Sequence, residues 1–255
     1  MVNRTIKEIG FKLKQAGRLE TTPLCVYGLE TIPEKGIPIT QLNRCIANAI
    51  YNLSIDETIN SIYIGNDALE GCCPGGQAWL GYNSFHPKLN YFISTGSQDF
   101  RGGAAEFLLA NPELAEQQLK SAGKISPIGK YTVIQKCDCV EEEDINVISF
   151  LCFGSSEQIR NLCSLAYFQP ENGFIVEMPW GPSCASFVSY PTGLINKDKN
   201  NVILGPTDPT GNYWFPPNYL SLGIPIEIAK RMANDVDDSF IVKRPEIAFP
   251  SKRKS

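Results

Sequence analysis

The chain has 255 residues, of which 43% are hydrophobic and 20% charged, with a formal net charge of −4 and an isoelectric point near 5.2. That composition supports a large buried core and excludes a disordered or fibrous class, while the acidic balance gives no long-range attraction to phosphate backbones, so no nucleic-acid partner is expected. No apolar run approaches the ~20 residues of a membrane span, and Met1 to Lys14 mixes charge with apolar residues, so the expectation is a cytoplasmic protein without a secretion signal or membrane partner.

In chain order, Ile6, Ile9, Phe11 and Leu13 mark one side of an amphipathic opening helix. Pro23 to Gly28 is a short apolar run bounded by Pro and Gly and reads as a buried strand, followed by helical spacing over Gln41 to Leu53. Ser61 to Gly65 reads as a strand, Gly75 to Gly81 as a short helix, Asn90 to Thr95 as a strand and Gly103 to Ala110 as a helix closed before Pro112. A more polar connector with its own helix, marked by Leu114 and Leu119, leads to the second half. There Tyr131 to Lys136 alternates like a strand, and Ile145 to Phe153 is the continuous apolar run of a strand covered on both faces. Ser156 to Phe168 is a helix whose Ser155-Ser156-Glu157-Gln158 opening supplies capping hydroxyls and an acidic first turn. Phe174 to Glu177, Cys184 to Tyr190, Asn201 to Leu204 and Ile224 to Asn234 read as strand, short helix, strand and helix.

Strand and helix thus alternate, giving an α/β class with mixed α+β as the variant, in one unit spanning 1–255. Two similar strand-helix halves, 20–110 and 128–235, are joined by the connector 111–127. Gln41-Leu42-Asn43-Arg44-Cys45 resembles Gln158-Ile159-Arg160-Asn161-Leu162-Cys163, and Cys73 and Cys184 each stand between a strand and a short helix, the pattern of an internal duplication.

Nine cysteines in an unsecreted chain are kept reduced, so they read as core thiols and ligands and not as a disulfide framework. Cys25, Cys152 and Cys163 lie in apolar runs, where cysteine packs as a small hydrophobe. Cys137 and Cys139, in Lys-Cys-Asp-Cys, form a pair with too few ligands for a closed tetrahedral site and read as surface thiols. Cys45, Cys73 and Cys184 differ. Two of them stand in Gly/Pro-rich turns that open helices, Gly71-Cys72-Cys73-Pro74-Gly75-Gly76 and Trp180-Gly181-Pro182-Ser183-Cys184, where unpaired N–H groups favour thiolate. Such thiols suit a nucleophile, a redox thiol or a cluster ligand.

With Asn43-Arg44-Cys45-Ile46-Ala47, Cys73-Pro74-Gly75-Gly76, Leu80-Gly81, Ser126-Pro127-Ile128-Gly129-Lys130-Tyr131, Cys184-Ala185 and Leu222-Gly223-Ile224-Pro225, the sequence resembles the family of domain of unknown function 169. The resemblance covers nearly the whole chain. It implies a one-piece α/β fold found largely in archaea and anaerobic bacteria, with cysteines like Cys45, Cys73 and Cys184 recurring, and it implies no established reaction. Cys72, which doubles the second cysteine, and the Lys-Cys-Asp-Cys pair depart from the family pattern.

Three separated cysteines that converge would fit an iron–sulfur cluster with one iron open, or a soft-metal site, in a protein with a redox partner or a cofactor-handling role. Two other readings stay open. A metal-free small-molecule binder would use Arg101 in the Gly96–Gly103 loop for an anion and the Tyr213, Trp214 and Phe215 wall for a planar ligand. An enzyme with a nucleophilic cysteine would have only His86, the single histidine, as an imidazole base, with Asp67 or Glu70 as an acid or base beside Cys73. The Gly96–Gly103 loop has neither the P-loop nor the dinucleotide glycine spacing.

Overall fold

The computed structural model describes residues 3–42, 45–67, 69–70, 72–141, 145–170, 173–195, 201–210 and 214–250. Among the residues singled out above, Asn43, Arg44, Gly71 and Tyr213 lie outside these.

Eight strands form one sheet: β1 (Leu24–Leu29), β2 (Ile37–Pro38), β3 (Ser61–Gly65), β4 (Tyr131–Lys136), β5 (Val147–Ser155), β6 (Val176–Glu177), β7 (Val202–Gly205) and β8 (Tyr219–Pro225), in the order β2-β3-β4-β1-β5-β8-β7-β6. Neighbours pair antiparallel except at the two edges, where β2 with β3 and β6 with β7 are parallel. The order is two copies of one pattern, 2-3-4-1 and 6-7-8-5, meeting back to back where β1 pairs with β5.

Helices cover both faces. On one lie α1 (Ile6–Gly17), α6 (Ser156–Ala166) and α7 (Ile226–Asp235); on the other α2 (Ile46–Ile55), α3 (Pro74–Trp79) and the π-helical turn Ala185–Ser189. Between α3 and β4 the chain also forms α4 (Leu89–Phe92) and α5 (Pro112–Ser121), and α8 (Phe240–Lys243) and α9 (Pro245–Ala248) follow α7. Strand alternation divides the core accordingly. Cys25, Tyr27, Phe150 and Cys152 point to the α1/α6/α7 face, and Leu24, Val26, Leu151 and Phe153 to the other. Burial on both faces is why the central strands read as unbroken apolar runs.

The first face is built by ordinary means. Thr5 and Glu8 close a capping box at the start of α1, and Ser155 and Gln158 do the same for α6. Gly10 lets α1 approach the turn at 137–139, since a Cβ there would stand 2.4 Å from Cys137 Cβ. Phe11, expected on the buried side of α1, faces solvent, and the contact is made by Ile9, Leu13 and Ala16.

The second face departs from the expectations. Leu89–Phe92 is a helix where a strand over Asn90 to Thr95 was expected: four β-prone residues in an apolar run do not distinguish the two, and no strand of the sheet is there to pair with them. The helix expected over Gly103 to Ala110 is absent, because Arg101, Gly102, Gly103 and Phe107 all take positive φ and turn the chain back across α4. The apparent pairing of Cys45 with Cys163 also gives way. Cys163 lies in α6 against the opposite core, whereas α2 and the π-helical turn are both crossovers between parallel edge strands, so Cys45 and Cys184 hold corresponding places in the two halves.

Candidate functional site

Cys45, Cys73 and Cys184 are the N-cap residues of α2, α3 and the π-helical turn. Each is set by its local sequence. α2 is largely apolar and sinks into the core from its first residue, Ile46, fixing Cys45 at its N-terminus. Pro74 supplies the first position of α3, and the Gln77 side chain donates to the carbonyls of Leu69 and Cys72 at 3.0 and 3.1 Å, holding the turn that presents Cys73. The π-helical turn lies directly on β7 and β8, where Gly205 and Gly223 leave room: a Cβ at either would meet Ser186 or Pro191 within 2.7 Å. Ser189 Oγ donates to the carbonyl of Trp79, tying the π-helical turn to the end of α3 and so the Cys184 element to the Cys73 element.

The three cysteines line one cavity of about 270 Å³. Its walls are largely apolar and aromatic, with Trp79, Trp180, Phe92 and Leu119, and its other polar side chains are Glu106, Asp208, Ser183 and Thr210. Cys73 is exposed, Cys45 half-buried and Cys184 5% exposed. Burial pushes the Cys184 thiol well above the ordinary range, and the charges that Cys73 and Cys45 would carry push it the same way; the Ala185 N–H opposes both but is outweighed. The thiolate expected at this helix start is therefore disfavoured at Cys184. Among the described residues no three or more His, Cys, Asp or Glu side chains are gathered closely enough to hold a single metal ion.

Glu106 and Asp208 were not singled out as cavity groups by sequence. Glu106 is carried by the segment after the glycine loop, whose N–H groups at 106, 107 and 108 donate to the carbonyls of Phe92, Ser94 and Ile93. Asp208 Oδ1 accepts from the N–H and hydroxyl of Thr210 at 2.8 and 2.7 Å, and Thr207 fastens this loop to the carbonyl of Pro179 at 2.9 Å. Burial raises the Glu106 carboxyl above its usual range, the Asp208 charge adds to the rise, and Arg101 counters it.

A second depression, of about 680 Å³, adjoins the first and shares Cys73, Gly75, Leu89, Phe92 and Glu106 with it. Arg101 and His86 lie along it. Within the loop at 96–103 the N–H groups of Phe100, Gly103 and Ala104 donate to loop carbonyls, and the Arg101 side chain lies along the second depression. Trp214 packs against Tyr51 and Phe215 at ring distances of 6.0 and 5.7 Å and lines neither depression, while Phe215 is buried among Tyr51, Phe153 and Phe187. Of the other thiols, Cys72 turns into the core beneath Cys73, and Cys137 is buried beside Cys25 and Cys152 on the opposite face. His86 and Cys73 share the groove, but among the described residues no hydrogen bond joins them; His86 Nδ1 accepts the Lys88 N–H at 3.1 Å.

No helix of the described residues is long and apolar enough to cross a membrane. No curated protein and no solved structure matches the chain significantly. One family model does, over residues 12–235, and the chain therefore belongs to the family of domain of unknown function 169, described as uncharacterised ArCR.

Proposed function

We propose that the protein holds a soft metal centre of the iron–sulfur kind on Cys45, Cys73 and Cys184, with a redox or cofactor-handling role exerted on a small molecule in the adjoining cavity. The observation that carries this reading is that three cysteines from three separate connections, all at N-cap positions, line one cavity. The donor chemistry fits: three thiols in an apolar, aromatic wall favour a soft centre over oxygen-loving Mg²⁺ or Ca²⁺. Burial first, and the charges that Cys73 and Cys45 would carry second, disfavour the Cys184 thiolate, and a cationic centre would offset that penalty. Because no three such side chains among the described residues are gathered for a single ion, a centre that brings its own sulfides would suit them better than a lone zinc ion. Such a centre supplies electron transfer or Lewis acidity when bound. The chain's own residues exclude water with Trp79, Trp180 and Phe92 and place the Glu106 and Asp208 carboxyls beside the thiols.

The apolar lining favours a second reading, a metal-free binder of small molecules in the same cavity. Anaerobic purification and reconstitution with ferrous iron and sulfide separates the two. Stoichiometric iron and sulfide with visible charge-transfer absorption is expected in the parent and is expected to vanish in a Cys45→Ser, Cys73→Ser, Cys184→Ser variant of unchanged circular dichroism. A colourless, folded parent without bound iron, or a variant that keeps its iron, overturns the metal reading.

A further inference from the structure

The groove leading to Cys73 contains a cation that no carboxylate among the described residues engages in a salt bridge, although the Glu106 carboxyl in the same lining attracts it at longer range. The Arg101 guanidinium makes no hydrogen bond or salt bridge with the described residues, although the Arg101 carbonyl accepts the Ala104 N–H at 3.3 Å. Its guanidinium instead lies over the rings of Phe92 and Phe100, at 4.4 and 5.8 Å from their centres. Holding it there has a conformational cost, because Arg101 itself adopts φ 51°, a region that non-glycine residues enter rarely, between the Ser97–Phe100 bridge and two left-handed glycines. His86 is stacked flat on the Phe100 ring of this cluster, at 4.2 Å with an interplanar angle of 18°. With Nδ1 accepting from Lys88, the neutral ring carries its proton on Nε2, so His86 brings a second donor to the same groove. The nearby Lys88 is already paired with Asp99 at 3.5 Å.

We infer that this groove binds a small amphipathic organic acid, its carboxylate on Arg101 with His86 assisting, its apolar body against Phe92, Phe100 and Phe85, and its far end directed past Glu106 to Cys73. The guanidinium fork matches a carboxylate in two parallel hydrogen bonds. One unpaired arginine balances one negative charge, and Glu106 in the same lining opposes a second, which selects a monoanion over a phosphate ester. The aromatic walls select against a purely polar acid. This assignment deepens the reading of the thiol site only in what the far end of the ligand meets; the anion subsite stands on Arg101 and His86 and needs none of the three cysteines.

The test is calorimetric titration of the full chain with 3-phenylpropionate, 3-phenylpropan-1-ol and phenyl phosphate, on the parent and on Arg101→Met. A methionine adds no Cβ strain at a position already occupied by a branched-free long side chain, and circular dichroism checks the fold. Saturable binding of the acid is expected in the parent and is expected to weaken by about tenfold or more in Arg101→Met, as loss of a charge-assisted hydrogen-bond pair demands. The alcohol is expected to bind more weakly than the acid and to be indifferent to the substitution. No saturable binding of the acid, equal binding of acid and alcohol, tighter binding of phenyl phosphate, or an unchanged acid affinity in Arg101→Met each overturns the inference. The triple serine variant keeps the two proposals apart: it is expected to lose iron and retain the acid, whereas Arg101→Met is expected to lose the acid and retain iron.

Discussion

The two faces of the sheet are built differently. The α1/α6/α7 face consists of three amphipathic helices of ten to twelve residues, two of them opened by capping boxes, packed over a continuous aliphatic core. The opposite face has two ten-residue helices, α2 and α5; the rest is α3 of six residues, a π-helical turn, α4 of four residues and the irregular stretches of the long connection from β3 to β4. All three cavity cysteines, both cavity carboxylates and Arg101 are on or beside this second face. Short elements and loops bring residues from distant connections to one place, and the regular face supplies the stability that lets them stay there. The two halves of the sheet differ in the same sense. The duplicated frame provides Cys45 and Cys184 at related crossovers, whereas Cys73, Glu106 and Arg101 come from the β3–β4 connection, which is far longer than its β7–β8 counterpart.

If the first face is framework, damage there lowers stability without changing the site in molecules that remain folded. The largest effect is expected from Phe150→Ala. Phe150 is fully buried on β5 in the framework core, and its removal is expected to cost about 3–5 kcal/mol in urea denaturation. Iron content per folded molecule is expected to match the parent, and a loss of iron without a loss of stability would show that the faces are not separable in this way. A smaller cut at the same framework is Ser155→Ala. Its hydroxyl accepts the Gln158 N–H and completes the α6 capping box, so about 1 kcal/mol is expected, with 3-phenylpropionate affinity unchanged. A shift in that affinity would mean that the start of α6 reaches the groove through the sheet.

The same division explains what could be read from sequence. β3 and β4 fall where expected, β1 and β5 lie within two residues of expectation, and α6 begins at the predicted serines, because burial on both faces and a capping box leave strong local marks. On the second face the marks are weak. Asn90 to Thr95 has the composition of a strand and forms a helix, and β8, whose Leu222, Gly223, Ile224 and Pro225 lead directly into α7, was hidden in the expectation of a helix from Ile224. That Cys45, Cys73 and Cys184 line one cavity is a property of how three separate connections pack, which no local pattern encodes. Asp208 approaches Glu106 across a separation no window spans, yet Glu106 did leave a trace, as the only charged residue between Arg101 and Glu113 in an otherwise apolar stretch.

The smallest effect sharpens the comparison most, because it concerns the carboxylate that lines both depressions. Glu106 holds its proton above the usual carboxylate range because of burial first and the Asp208 charge second, against the pull of Arg101; His86 and Cys73 are the other titratable groups along the groove. With the folded-state value raised, the folded protein binds this proton more tightly than the unfolded chain. The associated stability is therefore present at low pH and is lost as pH rises through the raised value. Ligand binding follows the same sign. A protonated Glu106 leaves Arg101 to the ligand carboxylate, whereas an ionised one competes for it, so 3-phenylpropionate affinity is expected to fall by about two- to fivefold as pH rises through the interval above the ordinary glutamate range. Glu106→Gln is expected to remove that step and leave the high affinity at every pH in the interval, since an amide can neither ionise nor attract the guanidinium as a carboxylate does. Titrations of both proteins at the two ends of the interval decide it. An identical step in Glu106→Gln would assign the pH dependence to His86 or Cys73, and the junction of the two depressions would then be a wall and not a gate for charge.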